Sequence, residues 1–259
     1  MKLKSRFDRV AGVRIHTLVG GEPADGHRPV VLAHGAAVSS RHMAQLGEAL
    51  APHVRVLVPD YPGHGRSDSP GRVSDVAGIA DFLAAWLATL GLHRVHLLGN
   101  SFGCQVIAEL AARRPELVDR LVLQGPTVDP GAHGIRQLWR WLVNTRREGS
   151  TQPRETFGQW GQAGPQVFWG TLRHMNEHRI EKTLPRVAAP TLVVRGSRDP
   201  IVPQPWADEA ARLLPEGRLE TIEGETHTIV LSAPEKLVDV TLPFLTEARR
   251  HDARGPGGR

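Results

Sequence analysis

Residues 95–103 read Val-His-Leu-Leu-Gly-Asn-Ser-Phe-Gly, and they join a short apolar run to an amphipathic stretch that ends before Pro115. The apolar run predicts a buried strand and the amphipathic stretch predicts a helix. A serine on such a sharp strand-to-helix turn is held in strained backbone geometry with its hydroxyl above the sheet. Because the turn packs tightly, the positions two before and two after Ser101 need small residues, and Gly99 and Gly103 occupy them. The pattern therefore makes Ser101 a candidate nucleophile.

The alternation of strand and helix extends outward from this turn along most of the chain. Short apolar runs predict strands at 14–19, 30–33, 54–58, 95–98, 120–123, 191–194 and 219–222. Amphipathic stretches between them predict helices near 42–50, 73–90, 102–114, 206–214 and 234–248. Continuous apolar runs separated by such helices are typical of parallel strands that are covered on both faces. The sequence thus predicts an α/β fold with a doubly wound, mostly parallel sheet.

The stretch from residue 127 to residue 185 interrupts the alternation, because it contains no strand-like run. Ligands of open α/β sheets bind at the carboxyl edge, where this insertion begins, so we expect a helical lid over that edge. Residues 1–126 and 186–250 would form the core, 127–185 the lid and 251–259 a flexible tail. Four of the six tryptophans fall in the predicted lid, and they either line an apolar substrate pocket or pack the lid onto the core: Trp139, Trp141, Trp160 and Trp169.

Composition excludes several classes of protein. The 259 residues are 40% hydrophobic and 23% charged, which is ordinary for a folded domain. The single cysteine, Cys104, excludes an intrachain disulfide and a cysteine-rich metal site, and no cofactor or metal is expected. No apolar run is long enough to span a membrane, and the N-terminus lacks a signal-peptide core, so we expect a cytoplasmic protein. The formal net charge is +5 and the arginines are scattered along the chain, so no nucleic-acid partner is expected. We expect a small-molecule substrate, and the sequence leaves the oligomeric state open.

The candidate nucleophile needs a base, and the base needs an orienting carboxylate, because a hydroxyl is a weak nucleophile near neutral pH. Among thirteen histidines, His227 follows the last predicted strand in a loop that opens on the same sheet edge as Ser101. Asp199 follows the preceding strand and opens on that edge too. The chain order Ser101, Asp199, His227 is one of the known triad orders. Asp129, which follows the strand at 120–123, is the alternative carboxylate.

An oxyanion that forms during acyl transfer needs hydrogen-bond donors, usually two backbone N–H groups. The strand at 30–33 runs into a tight turn that contains His34 and Gly35, beside the strand that carries Ser101. We expect the N–H groups of Ala36 and Phe102 to be these donors.

Five segments in this order resemble the α/β-hydrolase superfamily over essentially the whole chain: 34–35, 60–68, 99–103, 196–203 and 224–227 followed by Pro234. The resemblance implies the serine-nucleophile branch of that fold, and the predicted helical lid would be inserted after its sixth strand. It also implies that Ser101 is the nucleophile, that His227 is first base and then acid, that Asp199 orients it, and that Ala36 and Phe102 are oxyanion donors. Segment 60–68 is chiefly structural in that family, so His64 and Arg66 are interpreted as structural.

This sequence differs from several branches of the family at key positions, and these differences reduce the number of expected activities. Haloalkane dehalogenases and epoxide hydrolases carry aspartate at the position of Ser101. Carbon–carbon bond hydrolases of ring-fission products share Gly-Asn-Ser at the turn. They differ from this chain in a Gly-rich turn, which here reads Ala36-Ala37-Val38, and in a tryptophan after the histidine, which here is Thr228. Cys104 is interpreted as a small buried hydrophobe.

The sequence therefore predicts a serine hydrolase that acts through an acyl-enzyme on a small or medium, largely apolar carboxylic ester, lactone or thioester. The alternatives are carbon–carbon bond hydrolysis of a ring-fission product, and acyl transfer or cyclisation in biosynthesis. A further alternative is a catalytically silent binding protein, since one fold hosts many functions. The lid arginines are interpreted as solvated.

Overall fold

The computed structural model describes residues 1–22, 27–132, 135–148 and 151–247, so the predicted tail at 251–259 lies outside the described residues. The strands are β1 (Lys4–Val10), β2 (Val13–Gly20), β3 (Val30–Ala33), β4 (Val56–Pro59), β5 (Val95–Asn100), β6 (Val118–Gln124), β7 (Thr191–Gly196) and β8 (Gly217–Ile222). The helices are α1 (Ala44–Leu50), α2 (Val76–Thr89), α3 (Phe102–Arg113), α4 (Ile135–Arg147), α5 (Thr151–Glu177), α6 (Ile180–Thr183), α7 (Gln204–Leu213), α8 (Ile229–Ser232) and α9 (Pro234–Thr246).

The strands form one eight-stranded sheet in the order β1-β2-β4-β3-β5-β6-β7-β8. Strands β3 to β8 pair in parallel, whereas β1 and β2 pair antiparallel. An apolar core covers each face: one includes Trp86 of α2 and Val106 of α3, and the other includes Leu46 of α1 and Leu237 of α9. The predicted fold class, a doubly wound and mostly parallel α/β sheet, is confirmed.

Strand β1 was not predicted from the sequence. It lies at the edge of the sheet and pairs only with β2. Its residues read Lys-Ser-Arg-Phe-Asp-Arg-Val, and of these only Val10 is buried. An edge strand whose residues are mostly exposed needs no apolar run, so the signal that revealed the central strands is absent here.

Helices α4, α5 and α6 lie between β6 and β7, and we call this segment the insert (residues 127–185). No strand occurs in the insert within the described ranges. Helix α5 is interrupted at Gly164, whose φ is 77°, and Pro165 follows. Glycine tolerates this left-handed backbone and proline cannot donate a helical hydrogen bond, so the two residues together account for the break. No helix within the described residues is long and apolar enough to cross a membrane.

Candidate active site

Ser101 occupies the sharp turn between β5 and α3. Its φ of 55° and ψ of −116° are strained for a residue with a side chain, as the sequence predicts. The flanking glycines allow the strand and helix to approach closely. A Cβ atom on Gly99 would lie 2.7 Å from the carbonyl carbon of Gly103, and one on Gly103 would lie 2.2 Å from the carbonyl oxygen of Ala33. The backbone thus admits only glycine at both positions.

His227 and Asp199 approach each other at the carboxyl edge of the sheet. The Nδ1 atom of His227 lies 2.8 Å from Oδ2 of Asp199, and both side chains are buried. The other carboxylate oxygen, Oδ1, accepts hydrogen bonds from the backbone N–H groups of Ile201 at 2.7 Å and Val202 at 3.0 Å. Both oxygens of Asp199 are therefore engaged, which fixes the carboxylate and the histidine ring that it holds.

The charge of Asp199 sets the protonation of His227. Burial by itself lowers the pKa of His227, but the charge and hydrogen bond of Asp199 and the charge of Glu148 outweigh it, so the net pKa is raised. A histidine whose Nδ1–H is held by a carboxylate presents a lone pair at Nε2 when neutral and is stabilised when it takes a proton. The arrangement can accept a proton at Nε2.

Ser101 and His227 line one small cavity of about 20 Å³. The Oγ atom of Ser101 and the Nε2 atom of His227 are both buried, and neither makes a hydrogen bond within the described residues. A buried polar atom without a hydrogen-bond partner lowers the stability of the folded protein. Two such atoms on residues that line one cavity indicate that the site is kept for a function. A cavity of this size holds about one water molecule, because a water needs at least roughly 10–15 Å³.

The two residues predicted to supply the oxyanion donors lie next to the candidate nucleophile or the cavity. Ala36 follows β3 and lines the cavity, and Phe102 is the first residue of α3. The first N–H groups of a helix have no acceptor within it, and the helix dipole favours negative charge at this end. These amides have the chemistry that an oxyanion needs, and their assignment as donors stays a prediction.

Of the four tryptophans predicted to line the pocket, two line this cavity and two do not. Trp141 and Trp160 line the cavity; the ring of Trp141 lies 5.6 Å from that of His227, and Nε1 of Trp160 donates to the carbonyl oxygen of Ala36 at 3.3 Å. Trp139 and Trp169 lie outside the cavity and are 63% and 67% exposed. Trp139 is two positions from Trp141, and a helix with 3.6 residues per turn points such positions to different sides.

The alternative carboxylate has other partners. Asp129 accepts a hydrogen bond from Nη1 of Arg140 at 2.5 Å and from the backbone N–H of Gly131 at 2.8 Å. The structure therefore brings Asp199, and not Asp129, to His227. Cys104 is fully buried, as expected, and burial raises the pKa of its thiol.

Segment 60–68 forms a loop held together by Asp60. The carboxylate accepts from the backbone N–H groups of Ser40 at 2.6 Å and Arg66 at 2.9 Å, and it lies 2.8 Å from Nδ1 of His16. His64 is buried and its Nδ1 lies 3.2 Å from the carbonyl oxygen of Pro62. These contacts fit the structural interpretation of the segment.

Sequence reasoning missed several residues around the site. Gln124, at the end of β6, donates to the carbonyl oxygen of His227 at 3.0 Å, and its position at a strand end was the available signal. Asn144 of α4 and Glu148, the residue that follows α4, also contact the loop that carries His227. His42 and Thr156 line the cavity. Nothing in the local sequence marks these four, because their roles depend on how distant segments pack.

Known proteins resemble this chain in sequence and in fold. The model of the alpha/beta hydrolase family matches residues 30–240. A pimeloyl-(acyl-carrier protein) methyl ester esterase of Xanthomonas axonopodis pv. citri is 30% identical over 245 residues, which cover 85% of this chain and 96% of that protein.

Solved structures give the same picture of the fold. A membrane phospholipase A described as a bacterial virulence factor superposes with a TM-score of 0.80 and 23% identity, covering 95% of this chain and 88% of that one. CarC, a serine hydrolase involved in carbazole degradation, superposes with a TM-score of 0.80 and 21% identity, covering 95% of this chain and 100% of that one. At these sequence identities the structural matches support the fold and nothing more specific.

Proposed function

The chain belongs to the alpha/beta hydrolase family, and from that premise we propose that it is a serine hydrolase that forms an acyl-enzyme on Ser101. Oγ of Ser101 attacks the carbonyl carbon of the substrate while Nε2 of His227 takes its proton. Asp199 holds the histidine ring and stabilises the imidazolium. The oxyanion that forms on the carbonyl is bound by the N–H groups of Ala36 and Phe102.

In the following steps, His227 passes its proton first to the leaving group and later back to Ser101. The tetrahedral intermediate collapses, the bond to the leaving oxygen or sulfur breaks, and His227 returns its proton to that atom. A water then gives a proton to Nε2 of His227 while its oxygen attacks the acyl carbon. As this second tetrahedral intermediate collapses, the bond from the acyl carbon to Oγ of Ser101 breaks, His227 returns its proton to Oγ, and the acid leaves.

One observation carries this proposal. The imidazole of His227 is held at Nδ1 by Asp199, 2.8 Å away, and its unpartnered Nε2 shares a small cavity with the unpartnered Oγ of Ser101 within the described part of the chain. A silent binding protein would have no need for a strained serine opposite a carboxylate-held histidine.

The surroundings of the cavity support a small or medium, largely apolar ester, lactone or thioester as the substrate. Val38, Trp141 and Trp160 give it apolar walls. Ligand pockets normally hold about 300–1,000 Å³, far more than this cavity, so we propose that the insert acts as a lid that moves to admit substrate. The ester specificity of the Xanthomonas relative, which its name states, fits this substrate class.

Labelling with a fluorophosphonate tests the mechanism, because only an activated serine reacts with it. We expect stoichiometric labelling that peptide mapping assigns to Ser101, and no such labelling in Ser101→Ala. Failure of the folded wild-type protein to react would contradict the proposal and favour a silent binding protein.

A substrate panel tests the reaction class. It contains p-nitrophenyl esters of graded chain length, lactones, thioesters and one coloured ring-fission product. We expect turnover of esters, lactones or thioesters. Turnover of the ring-fission product alone would favour carbon–carbon bond hydrolysis. The enzymes that catalyse that reaction resemble this chain in having Asn at the position of Asn100, directly before the serine. Products joined to an added alcohol or amine instead of water would indicate acyl transfer.

A further inference from the structure

The cavity beside Ser101 contains more unpartnered polar atoms than the proposed reaction uses. Four of the residues that line it each have a buried side-chain atom that makes no hydrogen bond within the described residues: Oγ of Ser101, Nε2 of His227, Nδ1 of His42 and Oγ1 of Thr156. The first two are the reacting pair. Buried polar groups in native proteins are nearly always paired, so the other two call for a partner that is not part of the chain.

His42 brings a neutral imidazole to this cavity from the core. It lies in the short 3₁₀ turn Ser40–Met43 before α1 and is 3% exposed. Burial, together with the charge of nearby His227, lowers the pKa of His42 to about 4. The ring is therefore uncharged at neutral pH, and its unpartnered Nδ1 can donate or accept one hydrogen bond, depending on the tautomer.

Thr156 brings a hydroxyl from the insert. It lies in α5, four residues before Trp160, and lines the same cavity as His42. A hydroxyl, like a neutral imidazole, can both donate and accept a hydrogen bond. The two unpartnered polar groups beyond the reacting pair, Nδ1 of His42 and Oγ1 of Thr156, thus come from separate segments that meet only in the folded protein.

The rest of the lining restricts what these two groups could bind. No Lys, Arg, Asp or Glu side chain lines the cavity among the described residues. A carboxylate or ammonium group on the substrate would be buried there without a countercharge, which is strongly unfavourable. A neutral oxygen suits the pair, because it can exchange hydrogen bonds with both.

We propose that His42 and Thr156 form a polar subsite for a second, neutral oxygen of the substrate, a hydroxyl or a carbonyl, placed in the acyl or alcohol chain close to the reacting carbonyl. This inference rests on the proposed serine hydrolase activity and deepens it. The substrate is then an oxygenated ester, such as a hydroxy or keto ester, and not a plain hydrocarbon ester. A purely apolar pocket would select in the opposite direction, because it would leave the second oxygen desolvated and unpaired.

Two pairs of near-isosteric esters test the subsite in the wild-type protein. The acyl pair is p-nitrophenyl 3-hydroxybutanoate and p-nitrophenyl 3-methylbutanoate; the alcohol pair is 2-hydroxypropyl butanoate and 2-methylpropyl butanoate. Each kcat/KM is divided by the rate constant for hydroxide hydrolysis, which removes intrinsic reactivity. We expect the hydroxylated member of at least one pair to be favoured by about tenfold or more. Equal values, or preference for the hydrocarbon member in both pairs, would overturn the subsite.

Two substitutions assign the preference to its residues. In His42→Phe and Thr156→Val, which remove the hydrogen-bonding atoms and keep the shape, we expect the ratio within the favoured pair to fall toward one. Thr89→Val is the matched control, because Thr89 is an exposed threonine of α2, and its ratio should equal that of the wild type. A ratio that is unchanged in both folded variants would also overturn the assignment. If the variants do not fold, the wild-type ratios decide.

Fluorophosphonate labelling distinguishes a failure of the subsite from a failure of the proposed hydrolase activity. A protein in which Ser101 is not labelled contradicts the proposed function and the subsite with it. A protein in which Ser101 is labelled but neither pair shows the preference, or neither pair is turned over, contradicts the subsite alone.

Discussion

The backbone N–H of His227 donates to Oδ1 of Asn144 at 3.3 Å, across 83 residues of sequence. Asn144 in turn donates through Nδ2 to Glu148 at 2.6 Å, and the hydroxyl of Thr228 donates to the same carboxylate oxygen. The insert therefore holds the loop that carries the proposed base. The position of this loop and the protonation of His227 are coupled, because Glu148 also contributes to the raised pKa of His227.

Removal of the Glu148 charge should shift the pH dependence of the reaction. The proposed base works as the neutral imidazole, so kcat/KM rises with pH through the pKa of His227. Glu148 helps to raise that pKa, and we expect the rising limb of Glu148→Gln to move to lower pH. The measurement is kcat/KM for a reactive ester between pH 4 and 9. Glu177→Gln is the control, since Glu177 pairs with Arg173 at the far end of α5. A limb that stays in place in Glu148→Gln would contradict the coupling.

The two candidate carboxylates should differ sharply in their effect on turnover. Asn in place of Asp199 can no longer hold His227 in the required tautomer, and the corresponding change in a known triad lowers kcat by about four orders of magnitude. We expect a loss of that order in Asp199→Asn and little change in Asp129→Asn, whose partners are Arg140 and Gly131. Steady-state kinetics on one ester decides, and similar losses in both variants would refute the assignment of Asp199.

Glycine at the turn should be essential for stability, whereas glycine on the insert should not. A Cβ on Gly103 would meet the backbone of Ala33 at 2.2 Å, so we expect Gly103→Ala to lower the free energy of unfolding by about 3 kcal/mol. Gly158 lies in α5 with no heavy atom within 4 Å of an added Cβ, and Gly158→Ala should raise it by about 0.5–1 kcal/mol. Denaturant unfolding followed by circular dichroism measures both. Equal effects would show that the turn is not tightly packed.

The buried carboxylate of Asp60 should make stability depend on pH. Burial acts to raise its pKa, but the hydrogen bond from His16, the charge of His34 and the N–H groups of Arg66 and Ser40 lower it below the usual value. An ionised Asp60 then stabilises the fold above the unfolded-state pKa of about 3.9, and this stability is lost as the pH falls through the lower, folded-state value.

We therefore expect Asp60→Asn to lower the free energy of unfolding by about 2 kcal/mol at pH 7. The difference from the wild type should shrink below pH 4, where the unfolded carboxyl takes up a proton. Unfolding by urea at pH 7, 5 and 3 checks this, and a difference that does not change with pH would be the contrary result.

Much of the architecture was predictable because the signals are local. The apolar runs of β3 to β7 mark strands buried on both faces, and two glycines flank a serine at a strand end. Since the carboxyl ends of parallel strands meet at one edge, the positions of Asp199 and His227 after their strands predicted that they approach each other. The structure places them 2.8 Å apart.

Other features follow from tertiary packing and have no local signal. Strand β1 is a polar edge strand, and the sequence prediction began the sheet at β2. Four tryptophans of the insert look alike in sequence, yet two line the cavity and two face solvent, because the orientation of α4 and of the broken helix α5 decides which side points inward. His42 and Asn144 reach the site from segments that the motif pattern does not include.

The proposed opening of the insert also governs how strongly any ligand can bind. Trp160 of the insert is hydrogen-bonded to the carbonyl oxygen of Ala36, and the space beside Ser101 holds about one water, so under the proposed lid mechanism an ester-sized compound binds a more open form of the protein. Its apparent dissociation constant then equals the intrinsic constant divided by the fraction of molecules in that form. Substitutions that only weaken the Trp160 contact would tighten binding of chemically unrelated inhibitors by one common factor.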